Sequence, residues 1–144
     1  MLPLLALLLT TSLTLGVLGG ITDHYRSFKE IAEANGFPYE EHVVLTQDGY
    51  LLTQFRIPSD GPPVFFQHGF MDSADCWVMN YAEVAPAFVA ARKGYDVWLG
   101  NSRGNRYSEK HVSLDPFWDR KKFWDFDWTE MGLYDLPASF DYIT

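Results

Sequence analysis

Two short β-prone runs hinged on Asp48-Gly49, then two apolar runs separated by a helical stripe, constrain this chain more than any other feature. Asp-Gly between VVLT and YLLTQFRI is the strongest short-range hairpin signal, because a type I′ turn needs positive φ at both central residues. Pro63–Gln67 and Tyr95–Leu99 have the length and apolar content of buried strands. Between them, Glu83–Lys93 places Val84, Phe88 and Ala91 on one face, with Pro86 in its first turns and Gly94 as a stop. Thr22–Asn35 reads as a short helix capped by Thr22 or Asp23, with Tyr25, Phe28, Ile31 and Ala32 as its stripe. Gly100 to about Glu130 reads as loop, and a last helix opens at Asp135 with Leu136, Phe140 and Ile143 aligned. A hairpin followed by strand–helix–strand–helix predicts an α/β fold whose later strands pair in parallel through crossovers.

Charge divides the chain in two. Residues 1–21 contain no Asp, Glu, Lys, Arg or His and hold nine leucines, so all the charged residues lie in the remaining 123. The leading run suits a secretory signal peptide, with Gly16, Gly19 and Gly20 as a loose cleavage zone; an uncleaved signal-anchor over residues 2–21 is the alternative. Either sends residues 22–144, one partial domain, into the secretory pathway. A lone cysteine, Cys76, excludes a disulfide scaffold and fits a buried free thiol. A net charge of −8 argues against nucleic acid as a partner.

Three segments carry candidate chemistry. Gln67-His68-Gly69-Phe70 follows an apolar strand, and a glycine there lets the next backbone N–H approach a bound carbonyl oxygen. Taken alone, His68 reads more readily as a satisfied core histidine and Gly69 as a turn residue. Gly100-Asn101-Ser102-Arg103-Gly104 matches G-x-S-x-G, yet polar sequence follows it where a nucleophile elbow requires a helix. His111, nine residues on, is the sole histidine after Ser102, so a Ser102–His111 hydrolase is the weaker reading. Finally, Phe117–Tyr142 is rich in aromatics: either a lipid- or sugar-binding surface, or, as expected here, Trp118, Trp124 and Trp128 buried against the sheet. No cofactor and no metal are expected from the residue spacings.

In order and spacing, NGFPYEEHVVLTQDGYLLTQFRIP, FFQHGFMDSADCWV, GYDVWLGNSRGNRYSEKHVSL and FWDFDWTEMGLYDLPASFDYI resemble the acid lipases. These are the gastric and lysosomal lipases with related sterol esterases, of α/β-hydrolase fold. The resemblance runs from about Ile31 to Ile143. It implies hydrolysis of triacylglycerol or sterol esters, a secreted or lysosomal location, and contact with a lipid surface. It gives Phe70, after His68-Gly69, the backbone N–H that forms half the oxyanion hole, and makes GNSRG a loop motif. The nucleophile elbow is then expected after a further strand, on the order of ten to twenty residues past Thr144, with the acid and histidine later still. On this reading the chain is an N-terminal lipase segment without its triad, and Val64–Gln67 an apolar edge strand. The alternative is a non-catalytic secreted lipid-binding or regulatory fragment.

Overall fold

A capping box fixes the first helix later than either predicted cap. Ser27 Oγ accepts the Glu30 N–H (3.3 Å), and the Glu30 carboxylate accepts the Ser27 N–H (2.8 Å). Helix α1 therefore spans Phe28–Ala34, and Asp23 opens only a short 3₁₀ turn to Tyr25. The computed structural model describes residues 23–144; the predicted leader and Thr22 lie outside the described residues. Of the expected stripe, Phe28, Ile31 and Ala32 are buried, while Tyr25 sits before the helix and is exposed.

The hairpin forms, with a different turn. Strands β1 (Glu40–Leu45) and β2 (Leu51–Ile57) pair antiparallel from Glu40↔Arg56 to Leu45↔Leu51. Among the residues of the turn only Gly49 has positive φ (+99°), so the type I′ geometry is absent. Thr46 N–H donates to the Tyr50 carbonyl (2.9 Å) and Gly49 N–H to the Thr46 carbonyl (3.0 Å), closing a wider loop. That loop frees the Asp48 side chain for a distant partner described below.

Strand β3 (Pro63–Gln67), helix α2 (Pro86–Arg92) and strand β4 (Asp96–Gly100) form the crossover unit. Sheet order is β1-β2-β4-β3; β2 pairs antiparallel with β4, and only β3 and β4 run parallel. β4 is buried throughout, whereas β3 is an edge strand and only half-buried along Val64–Gln67. Because α2 begins at Pro86, Val84 falls outside it and is exposed.

Alternation along the strands sends side chains to two cores. Phe55, Ile57, Val97 and Leu99 meet Phe28, Ile31 and Phe88 on one face. Val44 and Leu52 pack with Tyr50 and Phe123 on the other. The segment after β4 is not wholly loop. It contains α3 (Arg120–Phe123), and then α4 (Trp128–Glu130) continues through a π-type turn (Met131–Asp135) into α5 (Leu136–Ile143). This last run starts at a capping box of Asp127 and Glu130, not at Asp135, which lies inside it. Its buried residues are Asp135 and Ser139, while Phe140 of the predicted apolar face is exposed. Two further expectations fail: Trp118 (82%), Trp124 (40%) and Trp128 (73%) are exposed, and so is Cys76. The one buried aromatic of this segment, Phe123, packs with Tyr50 in the second core.

Candidate active site

Because β3 and β4 are parallel neighbours, their carboxyl ends release Gln67–Met71 and Asn101–Asn105 side by side, the position where open α/β sheets bind ligands. A cavity of about 730 Å³ opens there, with Trp124, Phe126 and Trp128 on its apolar wall. Exposed Phe70 approaches Trp128 edge to face at its rim, with ring centroids 6.2 Å apart.

His68 is buried and fully engaged. Its Nε2 accepts the Ser102 N–H (3.1 Å), and its Nδ1 lies 2.7 Å from the Gly69 carbonyl. Asn105 Nδ2 lies 3.2 Å from the same Nε2. The Phe70 N–H donates to no group among the described residues. A Cβ on Gly69 would meet nothing within 4 Å, so neither packing nor backbone angle demands glycine there. The absent side chain leaves open space beside the Phe70 amide. Met71 follows with φ +61°, left-handed and unusual for a side chain of this kind, with a strain of about 1 kcal/mol.

Ser102 is not activated. Its Oγ accepts from Gln67 Nε2 (3.0 Å), its φ is not positive, and no helix follows Gly104. Both glycines of its G-x-S-x-G have packing roles. A Cβ on Gly100 would stand 2.6 Å from Phe65 Cζ, and one on Gly104 (φ +76°) would stand 2.7 Å from Phe126 Cζ. His111 is remote: Nδ1 accepts the N–H groups of Ser113 and Leu114 (3.0 Å each), and Nε2 contacts the Asp48 carbonyl (3.0 Å). The Ser102–His111 pairing is therefore absent.

Arg103, the residue after Ser102, was not singled out in the sequence, yet it is the most buried cation here. Its side chain is 1% exposed, donating through Nη2 to Asp48 (2.9 Å) and through Nε to Asp135 (2.8 Å). Its guanidinium lies 4.0 Å from the Tyr50 ring centroid. Burial pushes the Asp135 carboxyl up, against the pull of Arg103. Asp48, against a similar burial effect, is held low by its Arg103 and Thr46 hydrogen bonds. One cation thus ties hairpin turn, strand loop and last helix together at the back of the cavity. Both acids carried local signals in the sequence, Asp48 as half of the Asp-Gly turn and Asp135 as a helix start, and neither pointed to Arg103.

Although Cys76 is exposed, partial desolvation of its thiol and the neighbouring Asp72 push the thiol up to about 11, away from the thiolate at neutral pH. Among the described residues no group of His, Cys, Asp and Glu could hold a metal ion, and no helix is long and apolar enough to cross a membrane.

Residues 28–81 match a family model described as a partial α/β-hydrolase lipase region. The chain is 48% identical over 122 residues to Lipase 1 of Drosophila melanogaster, covering 84% of this chain and 27% of that protein. It is 46% identical over 123 residues to the human lysosomal acid lipase/cholesteryl ester hydrolase, covering 79% and 30%. With human gastric triacylglycerol lipase the identity is 44% over 117 residues, covering 75% and 29%. The chain therefore spans about three tenths of the length of these relatives. Among solved structures, an esterase of Pyrococcus furiosus superposes with TM-score 0.50 at 16% identity, covering 82% of this chain and 36% of that one, which is a likeness of fold.

Proposed function

We propose that the chain, similar over most of its length to gastric and lysosomal lipases, belongs to the acid lipases and supplies the first half of an oxyanion hole to a hydrolase of triacylglycerol or sterol esters. One observation carries the reading: the Phe70 N–H is unpartnered on a loop lining an apolar-walled cavity at the carboxyl ends of the parallel strands. A donor held there stabilises the negative oxygen that develops when a nucleophile attacks an ester carbonyl, and is worth about 3–4 kcal/mol in such enzymes. His68 and Gly69 support it, one by holding the loop and the other by leaving room. Nucleophile, acid and base come from elsewhere in the whole protein. Exposed Phe117, Trp118, Trp124 and Trp128 suit contact with a lipid surface. Residues 1–21 act as a signal peptide, and the body, residues 22–144, works in a secreted or lysosomal setting, in keeping with the relatives' names.

The test is made on the native gene product. It should hydrolyse emulsified triacylglycerol or cholesteryl ester and take up a serine-directed phosphonate probe. Phe70→Pro, which deletes the amide proton, should lower kcat by roughly 10²–10³ while leaving probe binding detectable. A product that neither reacts with the probe nor cleaves either ester sinks the reading.

A further inference from the structure

We propose that His68 is a positioning residue for the Gly69-Phe70 loop: the Ser102 N–H, seconded by Asn105, sets its ring in the Nδ1–H tautomer. That ring proton in turn holds the Gly69 carbonyl and fixes the direction of the Phe70 N–H. The inference builds on Phe70 as the anion-facing donor, yet its primary readout is independent of hydrolysis.

The proton assignment follows from partners that can act in only one sense. A backbone N–H only donates, so the Ser102 N–H at 3.1 Å requires a bare lone pair on His68 Nε2. A backbone carbonyl only accepts, so Gly69 O at 2.7 Å requires the proton on Nδ1. The Asn105 amide is oriented by two further partners. Its Oδ1 accepts the Tyr107 N–H (3.0 Å), and its Nδ2 donates to Asn101 Oδ1 (2.8 Å). The second Nδ2 proton is shared between His68 Nε2 (3.2 Å) and the Asp72 carbonyl (3.4 Å). Asn101 is itself 2% exposed and pinned, donating to the Thr53 carbonyl (3.0 Å) and accepting from the Ala74 N–H (3.0 Å). A polar chain thus runs from the central strand β2 through Asn101 and Asn105 to His68 and the Gly69 carbonyl.

The last link is covalent geometry. The Gly69–Phe70 peptide is trans and planar, so its N–H points opposite to its C=O. Holding the carbonyl against the His68 ring turns the Phe70 N–H away from that ring. Asparagine suits position 105 because it offers His68 a donor. Aspartate would offer an acceptor, draw a proton to Nε2 and set that N–H against the Ser102 N–H. Leucine would offer nothing and leave the Ser102 bond to keep the tautomer.

The experiment is long-range ¹H–¹⁵N correlation on the full chain with ¹⁵N-labelled histidine and phenylalanine. His68 is assigned among the four histidines by loss of its signals in His68→Gln. The expected parent spectrum has Nδ1 protonated and Nε2 bare. Asn105→Leu should keep that pattern, whereas Asn105→Asp should protonate Nε2 and shift the Phe70 amide resonance. In the whole protein, Asn105→Asp should also lower kcat about 10- to 100-fold with KM nearly unchanged. A parent His68 with its proton on Nε2, or an Asn105→Asp spectrum matching the parent, overturns the proposal. The parent spectrum alone decides if a variant does not fold. Loss of the hydrolase reading through Phe70→Pro would leave the tautomer result untouched, so the two failures are distinguishable.

Discussion

Replacing Arg103 with methionine should be among the most damaging single changes to this fold, and the reason is the acid it would strand. Methionine keeps most of the apolar stem but removes the guanidinium from Asp48 and Asp135. Asp48 has a side chain 27% exposed and can turn to water, whereas Asp135 at 5% cannot. Removing one partner of a buried ion pair costs about 3–5 kcal/mol, mostly from the uncompensated charge. A domain's whole stability is about 5–15 kcal/mol. Urea unfolding of the full chain should therefore show Arg103→Met losing about 3–5 kcal/mol of the parent's stability. Adding Asp135→Asn should recover more than half of the loss, since the amide is neutral and still accepts the Arg103-position N–H that Asp135 accepts at 3.0 Å. The pH dependence supplies a second check. Burial raises the folded-state carboxyl of Asp135, so its penalty is present at neutral pH and disappears as pH falls through the raised value. Without Arg103 to lower it the carboxyl rises further still, so the gap between parent and Arg103→Met should narrow as pH falls from neutral toward 3.8. A loss below about 1 kcal/mol, or no rescue by Asp135→Asn, would refute the stranded-charge argument.

Ser102→Ala removes only the hydroxyl that accepts from Gln67, so ester hydrolysis by the whole protein should stay within about threefold of the parent, measured as kcat/KM. Gly100→Ala forces a methyl against Phe65 and Gln67 inside the β3–β4 pair, and thermal melting should register a cost of about 1–3 kcal/mol. Asp96 is held below the usual aspartate value of 3.8, against burial, by Arg56 with help from Trp98 and Ser59. A depressed carboxylate contributes stability above its unfolded value, lost as pH falls through the folded one. Acid titration of stability should accordingly show a steep loss below pH 3.8 that is shallower in Asp96→Asn.

Local chemistry made much of the fold legible. Gly94 with φ +86°, Pro86 at the first helical position and the apolar runs at β3 and β4 are signals acting within a few residues. Helix starts were less legible where two caps competed. Ser27 prevails over Asp23, and Asp127 over Asp135, because a reciprocal Glu three residues on satisfies a second backbone N–H. Gly100 and Gly104 show the opposite limit. Their motif suggested a nucleophile, but polar sequence downstream already argued against it, and the packing of Phe65 and Phe126 explains the glycines.

The sequence by itself determined the hairpin, strands β3 and β4 with the helix between them, their α/β order, the family resemblance and the loop bearing His68, Gly69 and Phe70, since those follow from periodicity, turn chemistry and motif spacing. Tertiary structure decided what surrounds them. Asp48 and Asp135 meet Arg103 only because the hairpin turn, the β4 loop and the last helix converge. Trp118, Trp124 and Trp128 stay exposed, Trp124 and Trp128 on the cavity wall, while Tyr50 and Phe123 fill the second core. Contacts between distant segments depend on which surfaces the sheet brings together, and no local pattern encodes them.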